Sequence, residues 1–362
     1  MLKKKALICL AAGNSQLILI KKSIELGYNI IAVDKNPNSV GFKYSSKSVI
    51  CSTYDSKTII NELLKFCEEY EFLGIINRSS GLPVLTAAKI ARYFNLKLYP
   101  LSSAEIILNK HLFFEFLNKQ NILIPKTQSI SSNFSNKSIF EFPFIVKPSL
   151  SSVGKSGVFK ISSNEDLKKN LNLSFKSSIN NNVIAQEYIE GNDLVLISFV
   201  KDKKLIPICF IEEINFFSKS LQVIGAGVMC PARITKKIQE KIIKISNTII
   251  DNLKIENSAF MISFRNKKND VFPMELHLDF GGDLVLDVLL PASINFDVIK
   301  FGIQIMVKNN FISKSDIYIK PTAVLFYPGN GLNSERQYEI VKNDSLNELT
   351  KKINKKLKVM YD

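Results

Sequence analysis

The five cysteines of this 362-residue chain, Cys9, Cys51, Cys67, Cys209 and Cys230, stand far apart and include no CxxC pair. That spacing excludes a zinc knuckle and a disulfide framework, and it fits a reducing cytosol. Long apolar runs are missing too: no stretch approaches the roughly 20 residues of a membrane span. The start, MLKKK followed by ALICLAAG, imitates a signal peptide. Its apolar run stops at Gly13-Asn14 after about seven residues, the bottom of the range for such a segment. Ile8, before Cys9, is too large for a lipoprotein cleavage site. A cytoplasmic location with no membrane partner is therefore expected. Glycine is scarce where nucleotide fingerprints need it. The turn Ala12-Gly13-Asn14-Ser15 holds one glycine where a dinucleotide fingerprint needs three, and no GxxxxGK[ST] P-loop occurs. Internal repeats are also absent.

Charge of one sign is in excess, with 48 Lys and Arg against 33 Asp and Glu, a net +15. The lysines are scattered, no RNP-like aromatic motif accompanies them, and the densest runs, Lys3 to Lys5 and Lys351 to Lys358, read as solvated faces. Nucleic acid is not the expected partner; anionic small substrates suit the charge. A hydrophobic content of 46% over this length allows two or three packed units.

The first hundred residues alternate strand and helix patterns. ALICLAA, YNIIAVDKNP, Val49 to Cys51, LGIINRS and LKLYP read as strands, with helical LILIKKSIELG, TIINELLKFCEEY and LPVLTAAKIARYFN between them. Apolar strands alternating with helices predict a doubly wound parallel sheet, with ligands at the strand C-terminal ends. Asp34-Lys35-Asn36-Pro37 reads as a turn. From Ser102 the pattern changes: SSAEIILNKHLFFEFLNKQNILIP reads as one helix closed by a proline-containing strand entry, followed by α+β with antiparallel hairpins. The expected units are 1–101, an α/β doubly wound domain; 102–185 and 186–310, the two lobes of an α+β domain; and 311–362, a strand-helix extension packing on the second lobe.

Two segments carry chemistry. In PFIVKPSLSSVGKSGVFKI a buried strand delivers Lys147, and the small-residue loop to Gly157 can wrap a polyphosphate with backbone N–H groups and serine hydroxyls. In VFPMELHLDFGGD the alternation of Glu275, His277 and Asp279 predicts three polar side chains on one strand face. Between them, AQEYIEGND supplies acids on either side of a turn glycine. His111 reads as a solvated helix residue.

The order of these segments resembles the ATP-grasp superfamily, over roughly residues 5 to 330, including the doubly wound domain that commonly precedes the grasp. The resemblance implies ATP and Mg²⁺ as cofactors. Lys110 and Lys147 would contact phosphates, and Ser151, Ser152, Gly154, Ser156 and Gly157 would belong to a lid. Glu187 and the backbone of Tyr188 and Ile189 would read the adenine, and Asp193 the ribose. Glu275 would bind the metal. Where the superfamily reads E-x-N-x-R, this chain reads Glu275, His277 and Asp279, and the partner acid falls on Ser263. All three are taken as the metal set, the histidine also admitting Mn²⁺. Arg265 and Arg233, then Arg78, are the side chains expected near a substrate carboxylate. The implied activity is an ADP-forming ligase joining small-molecule carboxylate and amine substrates through an acylphosphate. Carboxyphosphate chemistry and a nucleotide-binding module without turnover stay open, and a homodimer is the default assembly.

Overall fold

The computed structural model describes the chain except Met1, Ser80, residues 135–139, 152–154, 219–220, 282–283, 308–316, 329–336 and Asp362. The N-terminal unit builds on β1 (Lys4–Leu10), which is fully buried from Ala6 onward. A strand covered on both faces must be apolar throughout, and this one is. It is followed by α1 (Asn14–Glu25), β2 (Asn29–Asp34), a short 3₁₀ turn at Val40–Tyr44, β3 (Lys47–Ile50), α2 (Ser56–Leu64), β4 (Tyr70–Asn77) and α3 (Leu82–Tyr93). The sheet is parallel, in the order β3-β2-β1-β4. Asp34 makes the expected turn, accepting from the amides of Ala12 at 2.8 Å and Asn36 at 2.9 Å.

Two sequence expectations change here. LKLYP is not a strand: Leu98 accepts instead from the Glu256 amide at 3.1 Å, so the segment leaves the sheet to pack on the second lobe. The long helix from Ser102 is broken into α4 (Leu101–Leu108) and α5 (Lys110–Lys119). Asn109 makes the break. Its backbone is extended and its side chain caps the new helix, accepting from the His111 amide at 3.0 Å.

The first lobe of the α+β domain holds β5 (Thr127–Ile130), β6 (Phe144–Pro148), β7 (Phe159–Ile161), α6 (Asn164–Lys176) and β8 (Val183–Glu187), paired antiparallel in the order β5-β8-β6-β7. Phe144, Val146, Phe159, Ile161, Leu167 and Leu171 form a core of its own under α6. Alternation then leaves Ile145 and Lys147 on the opposite, cleft-facing side.

The second lobe is built on β9 (Asn192–Lys201), β10 (Lys204–Phe217), β11 (Val223–Cys230), α7 (Lys236–Leu253), β12 (Ser258–Lys267) and β13 (Asp270–His277). A π-helical turn at Val285–Leu289, α8 (Leu290–Ser293), α9 (Val298–Val307), β14 (Thr322–Phe326), β15 (Tyr338–Lys342) and α10 (Leu346–Tyr361) complete it. The sheet order is β13-β12-β9-β10-β11-β14-β15, so the C-terminal strands extend this sheet. Leu349 and Ile353 of α10 cover its far end. Among the described residues no helix is long and apolar enough to cross a membrane.

Helix α9 joins the units, packing on α1 and β4 of the first and on β9 and β12 of the second. Gly302 makes that contact close: a Cβ there would lie 2.2 Å from the Phe199 ring and 2.9 Å from Phe280. Overfilling such a contact costs about 1–3 kcal/mol. Gly302→Ala is therefore expected to lower the free energy of unfolding by about that amount, read as a shifted urea midpoint with an unchanged slope.

Candidate functional site

The break at Asn109 sets up the first charged contact. Lys110 is the first residue of α5, and its amide donates to the Ser149 carbonyl at 2.9 Å while the Ser149 hydroxyl meets Asn109 Oδ1 at 2.5 Å. The small-residue loop and the helix start are thus tied together. Lys110 Nζ then crosses to the second lobe and binds Glu275 Oε1 at 3.0 Å. Burial tends to raise the Glu275 carboxyl, but Lys110 foremost, with His277 and Lys147, outweighs it and holds the group down to about 2.

Lys147 arrives from β6 on the same side. It is 6% exposed, donates to Gln186 Oε1 at 2.9 Å and lies 5.2 Å from the centre of the Phe114 ring. Burial, reinforced by Lys110, pulls its ammonium down to about 7 despite the attraction of Glu275. An approaching polyphosphate would restore the charge.

The loop expected to form a lid is only partly described. Ser151 is half-buried, and Ser152 and Gly154 lie outside the described residues. The Ser156 hydroxyl meets that of Ser177 at 3.3 Å, and Gly157 sits at φ +68 against Ser177 and Pro148. Lys155 Nζ reaches the second lobe at Glu213 Oε2 (3.1 Å) and Asn215 Oδ1 (2.8 Å).

The connection between lobes runs through Glu187, Tyr188 and Ile189. Glu187 exchanges hydrogen bonds with Lys126, its amide donating to the Lys126 carbonyl at 2.8 Å and its carboxylate accepting from the Lys126 amide at 3.2 Å. Tyr188 packs edge-on against Phe217, with Lys160 Nζ 4.4 Å from the Tyr188 ring centre. Asp193 is the second residue of β9.

Register places the second-lobe residues on one face. Asp193 lies opposite both Arg265 and Glu213, and Ser263 lies directly opposite Glu275. Cross-strand partners share a face, so the Ser263 position is the neighbour of Glu275 that the sequence reading expected, and it carries a hydroxyl. Asp193 is engaged on both oxygens, by Arg265 Nη2 at 3.1 Å and Asn215 Nδ2 at 2.8 Å. Burial raises its carboxyl and Arg265 opposes the rise.

The metal set divides. Strand β13 ends at His277, whose Nε2 is 3.9 Å from Glu275 Oε2. Asp279 lies beyond the strand, 2% exposed, with no side chain hydrogen-bonded to either oxygen among the described residues and the Gly281 backbone amide as its near donor. Burial raises its carboxyl. Among the described residues no group of three or more His, Cys, Asp or Glu side chains could hold a metal ion. A caged ion is thus not what these residues fit. Mg²⁺ bound through one carboxylate and nucleotide phosphates asks for less, and Glu275 fits that role.

Both expected catalytic arginines have protein partners. Besides Asp193, Arg265 donates to the Gly191 carbonyl at 2.9 Å. Arg233 binds Glu212 through its amide (3.2 Å), Nε (3.0 Å) and Nη2. Glu212 is adjacent to Glu213 and faces the other side of the sheet, away from Glu275. Arg78 is better placed, at the end of β4, where it donates to the Ser15 carbonyl at 3.2 Å and meets Asp287 at 3.0 Å. His111 is half-exposed and pairs with Glu115 at 3.4 Å, as a surface helix residue would. Sequence reading missed Gln186, Glu213, Asn215 and Lys155; the alternation of Glu213 and Asn215 in FIEEINF was the available signal.

An α+β pair of lobes with two lysines of one facing a carboxylate of the other, over a strand-turn-strand connection, is the arrangement of a nucleotide-binding grasp. Residues 107–260 match the ATP-grasp domain family. It is 28% identical over 217 residues to a D-alanine–D-alanine ligase of Petrotoga mobilis, covering 56% of this chain and 67% of that one. A formate-dependent phosphoribosylglycinamide formyltransferase of Prochlorococcus marinus is 26% identical over 45% of this chain and 42% of its own length. The whole fold is shared with the crystal structure of an L-amino acid ligase from Bacillus licheniformis, with a TM-score of 0.78 and 13% identity over 99% of this chain and 98% of the other. An N5-carboxyaminoimidazole synthetase from Staphylococcus aureus, complexed with ADP, gives 0.76 and 15% identity over 98% of each chain.

The Lys147 environment has a measurable sign. Its ammonium titrates near 7 in the folded protein against 10.5 ordinarily. Between those values the unfolded chain holds a proton that the folded one lacks, so raising the pH favours folding. Relative to Lys147→Met, unfolding free energy should climb with pH above 7, with a slope up to about 1.4 kcal/mol per unit, and flatten beyond the ordinary lysine range. Urea titrations of both proteins at several pH values measure it; parallel profiles would mean Lys147 stays charged.

Proposed function

We propose that the protein is an ATP-dependent ligase that activates a carboxylate as an acylphosphate and joins it to an amine, releasing ADP and phosphate. The observation that carries this reading is the meeting of Lys110 and Lys147 from one lobe with Glu275 from the other. Phosphoryl transfer is mostly positioning and neutralisation of charge, and these groups supply both.

In this reading ATP lies in the cleft with its adenine edge on the backbone of Tyr188 and Ile189, beside Glu187, and its ribose over Asp193. Lys147 and Lys110 hold the phosphates, with the Ser151–Gly157 loop above them. Glu275 would hold Mg²⁺, or Mn²⁺ with His277 alongside, and such an ion would supply neutralisation of phosphate charge. An oxygen of the substrate carboxylate attacks the γ-phosphorus, and the bond to the β–γ bridging oxygen breaks, leaving ADP. The amine lone pair then attacks the acyl carbon, phosphate departs with the C–O electron pair, and the nitrogen loses a proton. Arg265 acts here as the residue that fixes Asp193, and Arg78 is the arginine nearest the acceptor end.

The test is a screen of Mg²⁺-ATP with pooled acids and amines. ADP and phosphate should appear together and require both pools; AMP with pyrophosphate would overturn the reading, and release that requires bicarbonate would favour carboxyphosphate chemistry. Lys147→Met should weaken ATP binding about ten- to a hundredfold, the worth of a hydrogen bond to a charged group at about 1.5–3 kcal/mol, as titration calorimetry would record. A nucleotide-binding module without turnover is the reading favoured if ATP binds and no acid releases ADP, and the lack of a preformed metal cluster among the described residues is the observation on its side.

A further inference from the structure

We propose that Asp279 is the binding point for the ammonium group of the amine substrate, at the junction where the end of β13 meets the C-terminal edge of the N-terminal sheet. The inference rests on the ligase reading and adds to it a place and a charge for the second substrate.

Asp279 is 2% exposed, both of its oxygens are closed off from solvent, and among the described residues no side chain hydrogen-bonds to them; the Gly281 backbone amide is the near donor. Its position is held from both sides. The Phe280 amide donates to the Asn77 carbonyl at 2.8 Å, which fastens the segment to the end of β4, where doubly wound folds gather their ligands. On the other side a Cβ at residue 281 would lie 2.5 Å from Asp279 Oδ1, so a glycine is required to leave the carboxylate where it is.

The charged and titratable groups acting on Asp279 are Glu275 and His277 from β13, Arg78 from β4 and Tyr99 from the segment before α4. None of them answers its charge directly. Tyr99 spends its hydroxyl on the Val84 carbonyl at 3.3 Å, His277 leans toward Glu275, and Arg78 is drawn to Asp287 and the Ser15 carbonyl. Asp287 stands on the π-helical turn, a local geometry that recurs at functional sites. Among the described residues the junction therefore holds the acids Asp279 and Asp287 beside Arg78.

A buried carboxylate that meets a backbone amide but no paired cation is unfavourable in the free protein and calls for a cation that brings its own N–H groups. A divalent metal would need further ligands, and no such cluster forms among the described residues. A primary ammonium fits better: it carries a single charge and three donors, enough to engage both Asp279 oxygens. Held there, the amine stands at the acceptor end of the cleft, beyond Glu275 along the same segment. The unfavourable burial is relieved only when that substrate arrives.

The probe is ethylammonium chloride, a primary ammonium with no other functional group, compared with sodium chloride at equal ionic strength in thermal melts of the full chain. Ethylammonium should raise the wild-type midpoint by about 2–4 °C at concentrations near ten times its dissociation constant. Asp279→Asn, which keeps the shape and removes the charge, should melt at or above the wild type in sodium and lose the ethylammonium response. The inference is overturned by a response of equal size in both proteins, by no response in either, or by replacement of the ethylammonium effect with Mg²⁺ alone. It is overturned equally if Asp279→Asn melts well below the wild type, because Asp279 would then be building its own turn. Calorimetry of ATP into the wild type reads the nucleotide function separately: binding without an ethylammonium response sinks the ammonium site alone, whereas no ATP binding removes the ligase reading and the acceptor role with it.

Discussion

The contact between Lys110 and Glu275 joins residues 165 positions apart in sequence, and both lobes are arranged around it. It exists because Asn109 interrupts what would otherwise be one helix, turning the first residue of α5 toward the cleft, and because the turn of β13 against β12 brings Glu275 over Ser263. Lys110 is 13% exposed and Glu275 41%, so one partner is desolvated and the other still reaches solvent. Such a pair adds little net stability. Its importance is positional: it holds a carboxylate below its ordinary range beside a lysine that burial has pushed toward neutrality.

Periodicity alone made much of this legible. The buried strand at Ala6 to Leu10, the strand that delivers Lys147 and the apolar stripe of α7 are local patterns, and local patterns survive in sequence. Pairing over long distances does not. Nothing in Thr322–Phe326 announces that it adds to β11, and nothing in LKLYP says that a carbonyl will be taken by Glu256 instead of a sheet neighbour. The helix break was hidden for another reason: the run from Leu101 to Lys119 has helical periodicity throughout, and only the asparagine cap, satisfied by both helix amides and Ser149, tips the balance.

The candidate site divides in the same way. Lys147, Glu275 and Asp193 were readable because their strands were. The partners of Arg265 and Arg233 were not readable because an arginine in sequence says nothing about its partner, and each meets a buried or half-buried acid of the second-lobe sheet. The alternation from Glu275 to Asp279 assumed a strand two residues too long. β13 ends at His277, and two residues of irregular backbone suffice to carry Asp279 from the cleft floor to the junction with the N-terminal unit.

The net charge of +15 and the character of the site are also separate matters. The cleft face of the second lobe is lined by Asp193, Glu213 and Glu275, and each is met by a cation: Arg265, Lys155 and Lys110. Two of those cations come from the other lobe. The lobes thus satisfy one another across the cleft proposed for ATP. On the ligase reading, Lys110 would turn to phosphate oxygen and Glu275 to the metal when both enter, so that one ion pair becomes two. Asp279 has no such resident partner, and on the ligase reading its counter-charge has to come from outside the protein.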